Sequence, residues 1–465
     1  MGTQLKGRGK LDLLEWNRLK GLWGEKSVGA QGSSLRSRAL TAGVWTAGGF
    51  AAQKLFQLGS NLLLTRLLFP EAFGLMALAH VILIGLAMFS DVGIKPAIIQ
   101  NDRGEDQAFL NTAWSIQVLR GFILWAVAAI LAYPVSILYG QSELFPLVIV
   151  LGAASAISGF ASTSLAIGER RLSVRGITLI QLSGQVAALV LTAALAWELR
   201  SVWALAYGAL IGAAVTTVLS YAILPTHRHR FVLERDAFQT LFQFGRWIFL
   251  GTLVTFLGGQ GLRAIQGVYL SSAELGIVAI AQTLAWMPGD LATQLMSVVG
   301  FPSLAEVRKR GHAELVRVLA SMRSKVLGMA LPVFVALSLA SGPIINILYD
   351  PRYEAAGDYL AIISFTGAVS VISIGYQNAL MAMGNTRLHF DVLTFAMIAR
   401  VAGLITGFQI GGVTGMLIGI GCGSICAYLF VAFHAKRLGL LNISLDAACF
   451  AVITAGAFIS WTIYA

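Results

Sequence analysis

Residues 36–101 of the chain read RSRALTAGVWTAGGFAAQKLFQLGSNLLLTRLLFPEAFGLMALAHVILIGLAMFSDVGIKPAIIQN. The stretch holds two apolar segments, and each is long enough to cross the roughly 30 Å hydrocarbon layer of a bilayer as a helix. Four polar residues of the first segment, Gln53, Lys54, Gln57 and Asn61, lie on one face of that helix. A lysine near the middle of a bilayer costs about 2.5–3.5 kcal/mol. We therefore expect this face to contact other helices or a water-filled cavity.

The composition indicates a membrane protein along the whole chain. Of the 465 residues, 57% are hydrophobic and 12% are charged, whereas soluble domains have about 25% charged residues. The three cysteines, Cys422, Cys426 and Cys449, lie in apolar segments and form no Cys-x-x-Cys pair, which argues against a disulfide framework or a zinc site. The sequence contains no Walker motif and no nucleophile triad. We therefore predict an all-α polytopic membrane protein that needs no cofactor or metal and is not an enzyme.

Thirteen apolar segments are predicted to span the membrane after a basic N-terminal segment, residues 1–38. The connections between them are short, so no large soluble domain is expected. The predicted spans are 40–64, 73–94, 109–131, 144–167, 177–197, 202–224, 244–269, 275–299, 326–348, 359–383, 390–409, 412–433 and 445–464.

The basic residues predict the orientation of these spans. Lys and Arg accumulate at the N-terminus and in every second connection, whereas only Arg66, Arg200 and Arg352 lie in the intervening connections. Cytoplasmic loops carry this excess, so the N-terminus is predicted to be cytoplasmic. The basic loop HRHR at 227–230 is then expected to be a solvated cluster at the inner surface. This placement accounts for the net charge of +11 and gives no reason to expect a nucleic-acid partner.

Two short segments recur in the same order along the chain. FGLMALA at 73–79 resembles LGIVAIA at 275–281, and GERRL at 168–172 resembles GNTRL at 384–388. Both matches are six spans apart, an even number, so the two halves have the same orientation and form a parallel pseudo-two-fold repeat. We predict two six-helix lobes, an N-lobe at 39–224 and a C-lobe at 244–433. A cytoplasmic linker at 225–243 joins them, and 434–465 forms a C-terminal extra span.

Cations inside the spans are the best candidates for a binding site. The predicted substrate-binding residues are Lys54, Arg120, Arg263 and Arg400. The spans hold no matching acids near mid-depth, so an anionic ligand is the simplest complement. A guanidinium can bind phosphate oxygens in a bidentate manner, whereas lysine acts as a point charge. In the alternative, each cation snorkels or donates to the backbone carbonyls of a neighbouring helix.

The polar residues beside two of these cations are expected to line one cavity between the lobes. They are Gln57 and Asn61 beside Lys54, and Thr252, Thr255 and Gln266 beside Arg263. Asp91 and Asp290, in the equivalent spans 2 and 8, are candidates for a gate or for coupling to an ion, with local capping as the alternative. His80 is a candidate for titration during transport or, alternatively, a packing residue.

Glycines four residues apart predict close helix contacts in lipid. Such pairs occur at Gly208 and Gly212 in span 6, and the same spacing continues through Gly415, Gly419 and Gly423 in span 12.

Several segments together resemble a known family of membrane transporters. They are NLLLTRLLFPEAFGLMALA at 61–79, FSDVGIKPAIIQ at 89–100, LAIGERRLSVR at 165–175, FQFGRWIFLG at 242–251 and ALMAMGNTRLHF at 379–390. They resemble the polysaccharide/O-antigen flippases of the multidrug/oligosaccharidyl-lipid/polysaccharide exporter (MOP) superfamily. The resemblance covers about 35–440, and its most specific signals are Arg66 and the Glu71-x-x-Gly74 turn.

The resemblance implies a flippase for lipopolysaccharide or exopolysaccharide precursors. Such a protein moves a polyprenyl-diphosphate-linked oligosaccharide from the cytoplasmic to the outer leaflet of a bacterial inner membrane by alternating access. Implied partners are that glycan, membrane lipids and a polysaccharide polymerase or export machinery. The chain departs from the family at its end, because members usually have twelve or fourteen spans. Either a last span is missing or the final segment does not cross fully.

Two other functions stay open at this point. A cation-coupled drug or metabolite exporter of the same superfamily would need acids in its cavity, and the excess of buried Lys and Arg argues against it. A membrane-integral polysaccharide glycosyltransferase or polymerase would need a large outer loop or paired carboxylates. The longest outer connection, near 350–358, is modest.

Overall fold

The computed structural model describes residues 35–90, 94–101, 103–171, 174–224, 229–238, 256 and 259–464. All regular structure within these residues is helical, which confirms the predicted all-α polytopic fold. The chain forms two compact units. Unit 1 comprises Met1–Ser60 and Ile82–Gly251, and unit 2 comprises Asn61–Val81 and Thr252–Ala465. The two-lobe repeat stays a prediction.

Two of the first eight helices begin at residues that favour a helix start. α2 begins at Pro70, where the absent N–H has no intrahelical partner to lose. α4 follows Asp106, whose carboxylate accepts the N–H of Ala108 at 3.3 Å. The eight helices are α1 (Leu35–Leu67), α2 (Pro70–Phe89), α3 (Ile94–Gln100), α4 (Gln107–Leu138), α5 (Leu144–Gly159), α6 (Ser164–Arg170), α7 (Val174–Leu199) and α8 (Val202–Ala222).

The second half of the chain begins, in the described residues, with a helical segment at 259–269. The next helix starts with a capping box, in which Ser271 and Glu274 each accept the backbone N–H of the other. The helices are α9 (Ser272–Ala285), α10 (Met287–Leu295), α11 (Phe301–Val307), α12 (His312–Leu339), α13 (Ser341–Leu348), α14 (Ala356–Ala382), α15 (Thr386–Arg437) and α16 (Ile443–Tyr464).

Eight of the described helices are long and apolar enough to cross a membrane. Two bent pairs, α5 with α6 at 63° and α9 with α10 at 45°, raise that number to ten. One of the eight, α15, has non-helical dihedrals at Gly411 and Gly412, and Gly412 has a φ of +57°, which glycine adopts without strain. The helix reverses at this turn, and its two arms correspond to the predicted spans 390–409 and 412–433.

The arms of α15 pack with their backbones in contact. A Cβ added to Gly407 would overlap the carbonyl of Gly415, and one added to Gly403 would overlap the carbonyl of Gly419. α7 and α8 approach in a similar way, because Gly208 lies against the side chain of Thr192 on α7. The glycine contacts predicted from the four-residue spacing are therefore confirmed.

The ninth predicted span differs from the structure. The apolar segment at 326–348 is divided between α12, which begins much earlier at His312, and the separate helix α13. Three of the basic residues that precede this span, Arg317, Arg323 and Lys325, consequently lie on α12 and not in a connection. Arg323 has only 2% of its surface exposed.

Part of the predicted linker, residues 229–238, lies along the N-terminal end of α4. The N–H of Val232 donates to the Ser115 hydroxyl at 3.1 Å, and the N–H of Glu234 donates to the Thr112 hydroxyl at 3.0 Å. The Glu234 carboxylate also accepts from Arg103 at 2.9 Å. These bonds fix the segment on unit 1.

His229 at the start of this segment is not a solvated charge. Its ring stacks on Trp114 with centroids 5.4 Å apart, and its Nε2 lies 3.0 Å from the Ser162 hydroxyl. The prediction of a solvated HRHR cluster does not hold for His229, which is half-buried against aromatic rings, whereas Arg230 is exposed. His227 and Arg228 lie outside the described residues.

An ion pair accompanies this segment at the start of α4. Arg103 donates to the Asp106 carboxylate at 2.7 Å. This bond, with the N–H of Ala108, holds the pKa of Asp106 below its ordinary value.

Candidate functional site

The four predicted cations are distributed equally between the two units. Lys54 and Arg120 belong to unit 1, and Arg263 and Arg400 belong to unit 2. Three of them are half-buried, whereas Arg263 is exposed, and the four side chains contact different partners.

Lys54 lies half-buried on α1, with its Nζ 5.7 Å from the centre of the Phe50 ring. One turn of the polar face already binds a neighbouring helix, because Gln53 donates to Gln181 of α7 at 2.9 Å. Gln57 is exposed. The polar face of α1 is thus partly a helix contact and partly accessible, which is compatible with both the cavity and the packing interpretations of this stripe.

Arg120 is bound to the end of a neighbouring helix. Its Nη2 donates to the carbonyl oxygen of Ala87 at 2.7 Å, and its Nε donates to the Ser90 hydroxyl at 2.9 Å. Both acceptors lie at the C-terminal end of α2, where the last carbonyls lack intrahelical partners and attract cations. This is the arrangement that the alternative for the buried cations predicts.

Arg263 is exposed on the segment 259–269, and it interacts electrostatically with Asp290 of α10 and with His80 of α2. The structure thus brings together one predicted cation, one predicted gate residue and the predicted titrating histidine, all in unit 2. Gln266 is 1% exposed and its amide oxygen accepts from Gln282 at 3.3 Å, so it binds α9.

Three of the predicted site residues, Asp91, Thr252 and Thr255, lie outside the described residues. Asn61, described and half-buried, is the first residue of unit 2.

Arg400 is held by two hydroxyl groups. Its Nε donates to Ser424 in the second arm of α15 at 3.1 Å, and its Nη2 lies 3.4 Å from the Ser370 hydroxyl of α14. Ser424 donates in turn to the carbonyl of Ile420 at 3.0 Å, so its oxygen has a fixed lone pair for the guanidinium. Within the described part of the chain no carboxylate pairs with Arg400, and the hydroxyls orient the cation without neutralising it.

A buried charge network was missed by the sequence analysis. Arg323 of α12 pairs with Asp446 of α16 at 2.5 Å, and the two side chains are 2% and 4% exposed. Tyr376 and Tyr428 donate to the same carboxylate at 2.7 and 2.8 Å, and the guanidinium lies 3.7 Å from the centre of the Tyr376 ring. The network ties α16 to α12, α14 and α15. An acid in the first turn of an apolar segment was the signal available for it.

A metal site is not indicated by the described residues, which contain no group of three His, Cys, Asp or Glu side chains suited to hold an ion.

A family model described as polysaccharide biosynthesis protein matches residues 63–358. The chain belongs to this family. Among curated relatives, the lipopolysaccharide biosynthesis protein WzxC of Escherichia coli is 21% identical over 83% of this chain and 78% of its own length. The succinoglycan biosynthesis transport protein ExoT of Rhizobium meliloti is 20% identical over 82% of this chain and 77% of its own.

Solved structures of other membrane proteins share the fold of this chain. Lipid II flippase MurJ in an inward closed conformation superposes with a TM-score of 0.68 and 14% identity, covering 91% of this chain and 92% of MurJ. An inward-facing multidrug resistance MATE transporter of the MOP superfamily has a TM-score of 0.61 and 17% identity, covering 85% and 96%. The chain therefore shares the all-α polytopic fold of these two proteins, and the family match confirms the predicted resemblance to polysaccharide transporters.

Proposed function

We propose that this chain flips a polyprenyl-diphosphate-linked oligosaccharide across the membrane by alternating access. The chain is by family and fold a transporter and not an enzyme. The names of its relatives refer to lipopolysaccharide and succinoglycan biosynthesis, and its structural neighbour MurJ is named as a lipid II flippase. These names support a precursor of a surface polysaccharide as the substrate.

The observation that carries the proposal is the setting of Arg400. A guanidinium has five N–H donors, and the two hydroxyls of Ser370 and Ser424 each take one. The remaining donors and the full positive charge are available to an anion. A diphosphate matches the planar donor pairs of arginine and its charge.

The other three cations have different roles in this proposal. Lys54 and Arg263 supply positive charge along the path of the diphosphate. Arg263 also faces Asp290 and His80, so this pair of partners is the proposed place for gating or for coupling to an ion. Arg120 anchors the C-terminal end of α2 and contributes stability in place of binding.

The proposed location is the bacterial inner membrane with a cytoplasmic N-terminus, since Lys and Arg concentrate in alternate connections. The glycan would then enter from the cytoplasmic leaflet and leave at the outer one. A polysaccharide polymerase or export machinery is the proposed recipient, because a flipped precursor has to be consumed on the outer side.

Drug export is the alternative, and the fold shared with a MATE transporter is its support. The buried charges favour the flippase, since a cavity for organic cations would need carboxylates and the spans contribute mainly guanidinium and ammonium groups.

The test is leaflet exchange of a diphosphate-linked saccharide lipid in proteoliposomes. Arg400→Ala, Lys54→Ala and Arg263→Ala should each slow exchange about 10- to 100-fold, because a charge-assisted hydrogen bond contributes about 1.5–3 kcal/mol. Arg317→Ala is the matched control, since that side chain is 77% exposed on α12. Wild-type exchange rates in all three variants would reject the cationic site.

A further inference from the structure

A short turn between α13 and α14 is hydrogen-bonded to the turn that joins α1 to α2. The 3₁₀ turn Pro351–Tyr353 buries Tyr353 completely, and the tyrosine hydroxyl donates to the carbonyl oxygen of Leu68 at 3.0 Å. Arg352 donates to the carbonyl oxygen of Arg66 at 3.3 Å and places its guanidinium 4.7 Å from the centre of the Phe69 ring. Arg66 is in the last turn of α1 and Leu68 follows the helix, so both carbonyls need partners from outside it.

Hydrogen bonds within residues 350–353 stabilise this turn. Asp350 accepts the backbone N–H of Arg352 at 3.1 Å and its Nε at 2.7 Å. The Arg352 guanidinium holds the pKa of Asp350 below its ordinary value, so the carboxylate stays ionised at neutral pH. Burial raises the pKa of Tyr353, so its hydroxyl keeps the proton that it donates to Leu68.

Two glycines lie beneath this turn where α2 crosses α9. A Cβ added to Gly74 would overlap the carbonyl of Ser272, and one added to Gly276 would overlap the carbonyl of Pro70. The contact is reciprocal, because each glycine meets the backbone of the other helix. Gly74 and Gly276 are also equivalent positions in the sequence match of 73–79 with 275–281. The crossing brings the two backbones into contact, and the neighbouring Leu75 and Leu275 are buried.

We propose that residues 350–353 form a latch that holds the α1–α2 turn against the rest of unit 2, and that the latch opens during each transport cycle. The inference rests on the proposed function, in which one end of the transporter has to open to release its lipid. The turn and the residues that hold it all belong to unit 2. Opening breaks two hydrogen bonds, which water can replace at both carbonyls, and uncovers the buried ring of Tyr353, which lies 6.2 Å from the Phe73 ring.

The latch is tested by the accessibility of a cysteine at a buried position next to the α1–α2 turn. Ala72 lies in the first turn of α2 and is 7% exposed, so Ala72→Cys is the reporter. Cys422 and Cys426, which are exposed, are replaced by serine, and Cys449, which is 5% exposed, is kept as an internal monitor of global unfolding. The full chain is placed in lipid nanodiscs, where both membrane faces are accessible, and the rate of maleimide labelling is measured at both cysteines.

Tyr353→Phe removes only the hydroxyl and should raise labelling at the reporter about fivefold, the factor that corresponds to one net hydrogen bond of about 1 kcal/mol. Gly276→Ala should raise it further, because its methyl group meets the Pro70 carbonyl. Tyr207→Phe on α8 is the matched control and should leave the rate unchanged. Cys449 should stay unlabelled in every variant.

Unchanged labelling in both Tyr353→Phe and Gly276→Ala overturns the latch, as does labelling that rises equally at Cys449, since that result means loss of the fold. The measurement needs no lipid-linked substrate. A normal labelling response together with absent lipid exchange would therefore contradict the proposed function and leave the latch standing.

Discussion

Asp446→Ala should strongly destabilise the protein, because it removes the carboxylate that compensates the buried charge of Arg323. The guanidinium is 2% exposed and lies 2.5 Å from this carboxylate, so water cannot take the place of the lost partner. Removing one member of a buried ion pair costs about 3–5 kcal/mol, since the other charge is left uncompensated. Tyr376 and Tyr428 also lose the acceptor of their hydroxyls, which places the expected loss in the upper part of that range.

The measurement is the free energy of unfolding of the purified chain in detergent, followed by circular dichroism. The double variant Arg323→Met with Asp446→Leu should be more stable than either single variant, because it leaves no unpaired charge. Asp358→Ala, at an exposed acid in the first turn of α14, is the matched control and should stay within about 0.5 kcal/mol of wild type. A loss below about 1 kcal/mol for Asp446→Ala, the size of an exposed pair, would refute the reasoning.

Three further outcomes are expected. Gly407→Val puts a side chain against a backbone carbonyl of the facing arm of α15 and should lower the free energy of unfolding by about 1–3 kcal/mol; Gly411→Ala, which meets open space, should not. Ser424→Ala frees the Arg400 guanidinium from one acceptor and should slow leaflet exchange about two- to tenfold, whereas Ser424→Thr, which keeps the hydroxyl, should restore the rate. Because the folded pKa of Asp106 is lowered, its stabilising contribution is complete above the unfolded pKa of about 3.9 and is lost as pH falls through the folded pKa. In unfolding measurements from pH 7 to pH 3, the difference between wild type and Asp106→Asn should therefore be constant down to about pH 5 and shrink only below about pH 4.

Hydropathy located most membrane helices of the described residues, because such a helix is a continuous apolar stretch that satisfies its own backbone hydrogen bonds. It did not locate the start of α12, since the first part of that helix is polar and basic and continues beyond the apolar segment. A hydropathy window detects the part of a helix that lies in lipid, not the helix itself. Arg323 therefore lies on a part of the helix that the hydropathy pattern did not include.

The cations inside the apolar spans could be found from the sequence, but their contacts could not. An arginine within an apolar span can be found from the sequence alone, as Arg400 and Arg120 were. Their partners lie on other helices or, for Ser424, on the other arm of α15. The two hydroxyls that bind Arg400 and the helix end that binds Arg120 could therefore not be read from the sequence. The acid at Asp446 was visible in sequence, but its partner on α12 was not.

The reason for the glycine in the turn motif Glu71-x-x-Gly74 could be found only from the structure. Its glycine admits the backbone of α9, and no side chain larger than hydrogen fits there. The glycine shared by 73–79 and 275–281 is thus explained by the same steric demand, since Gly276 admits the backbone of α2.

The backbone contact between the two arms of α15 has a consequence for biosynthesis. Its arms are joined by a two-residue turn, so bringing them together closes a very short loop at a small cost in chain entropy. Contacts between residues so close in sequence form rapidly. We therefore expect the arms to leave the translocon already paired, as a finished hairpin onto which α14 and the later α16 assemble.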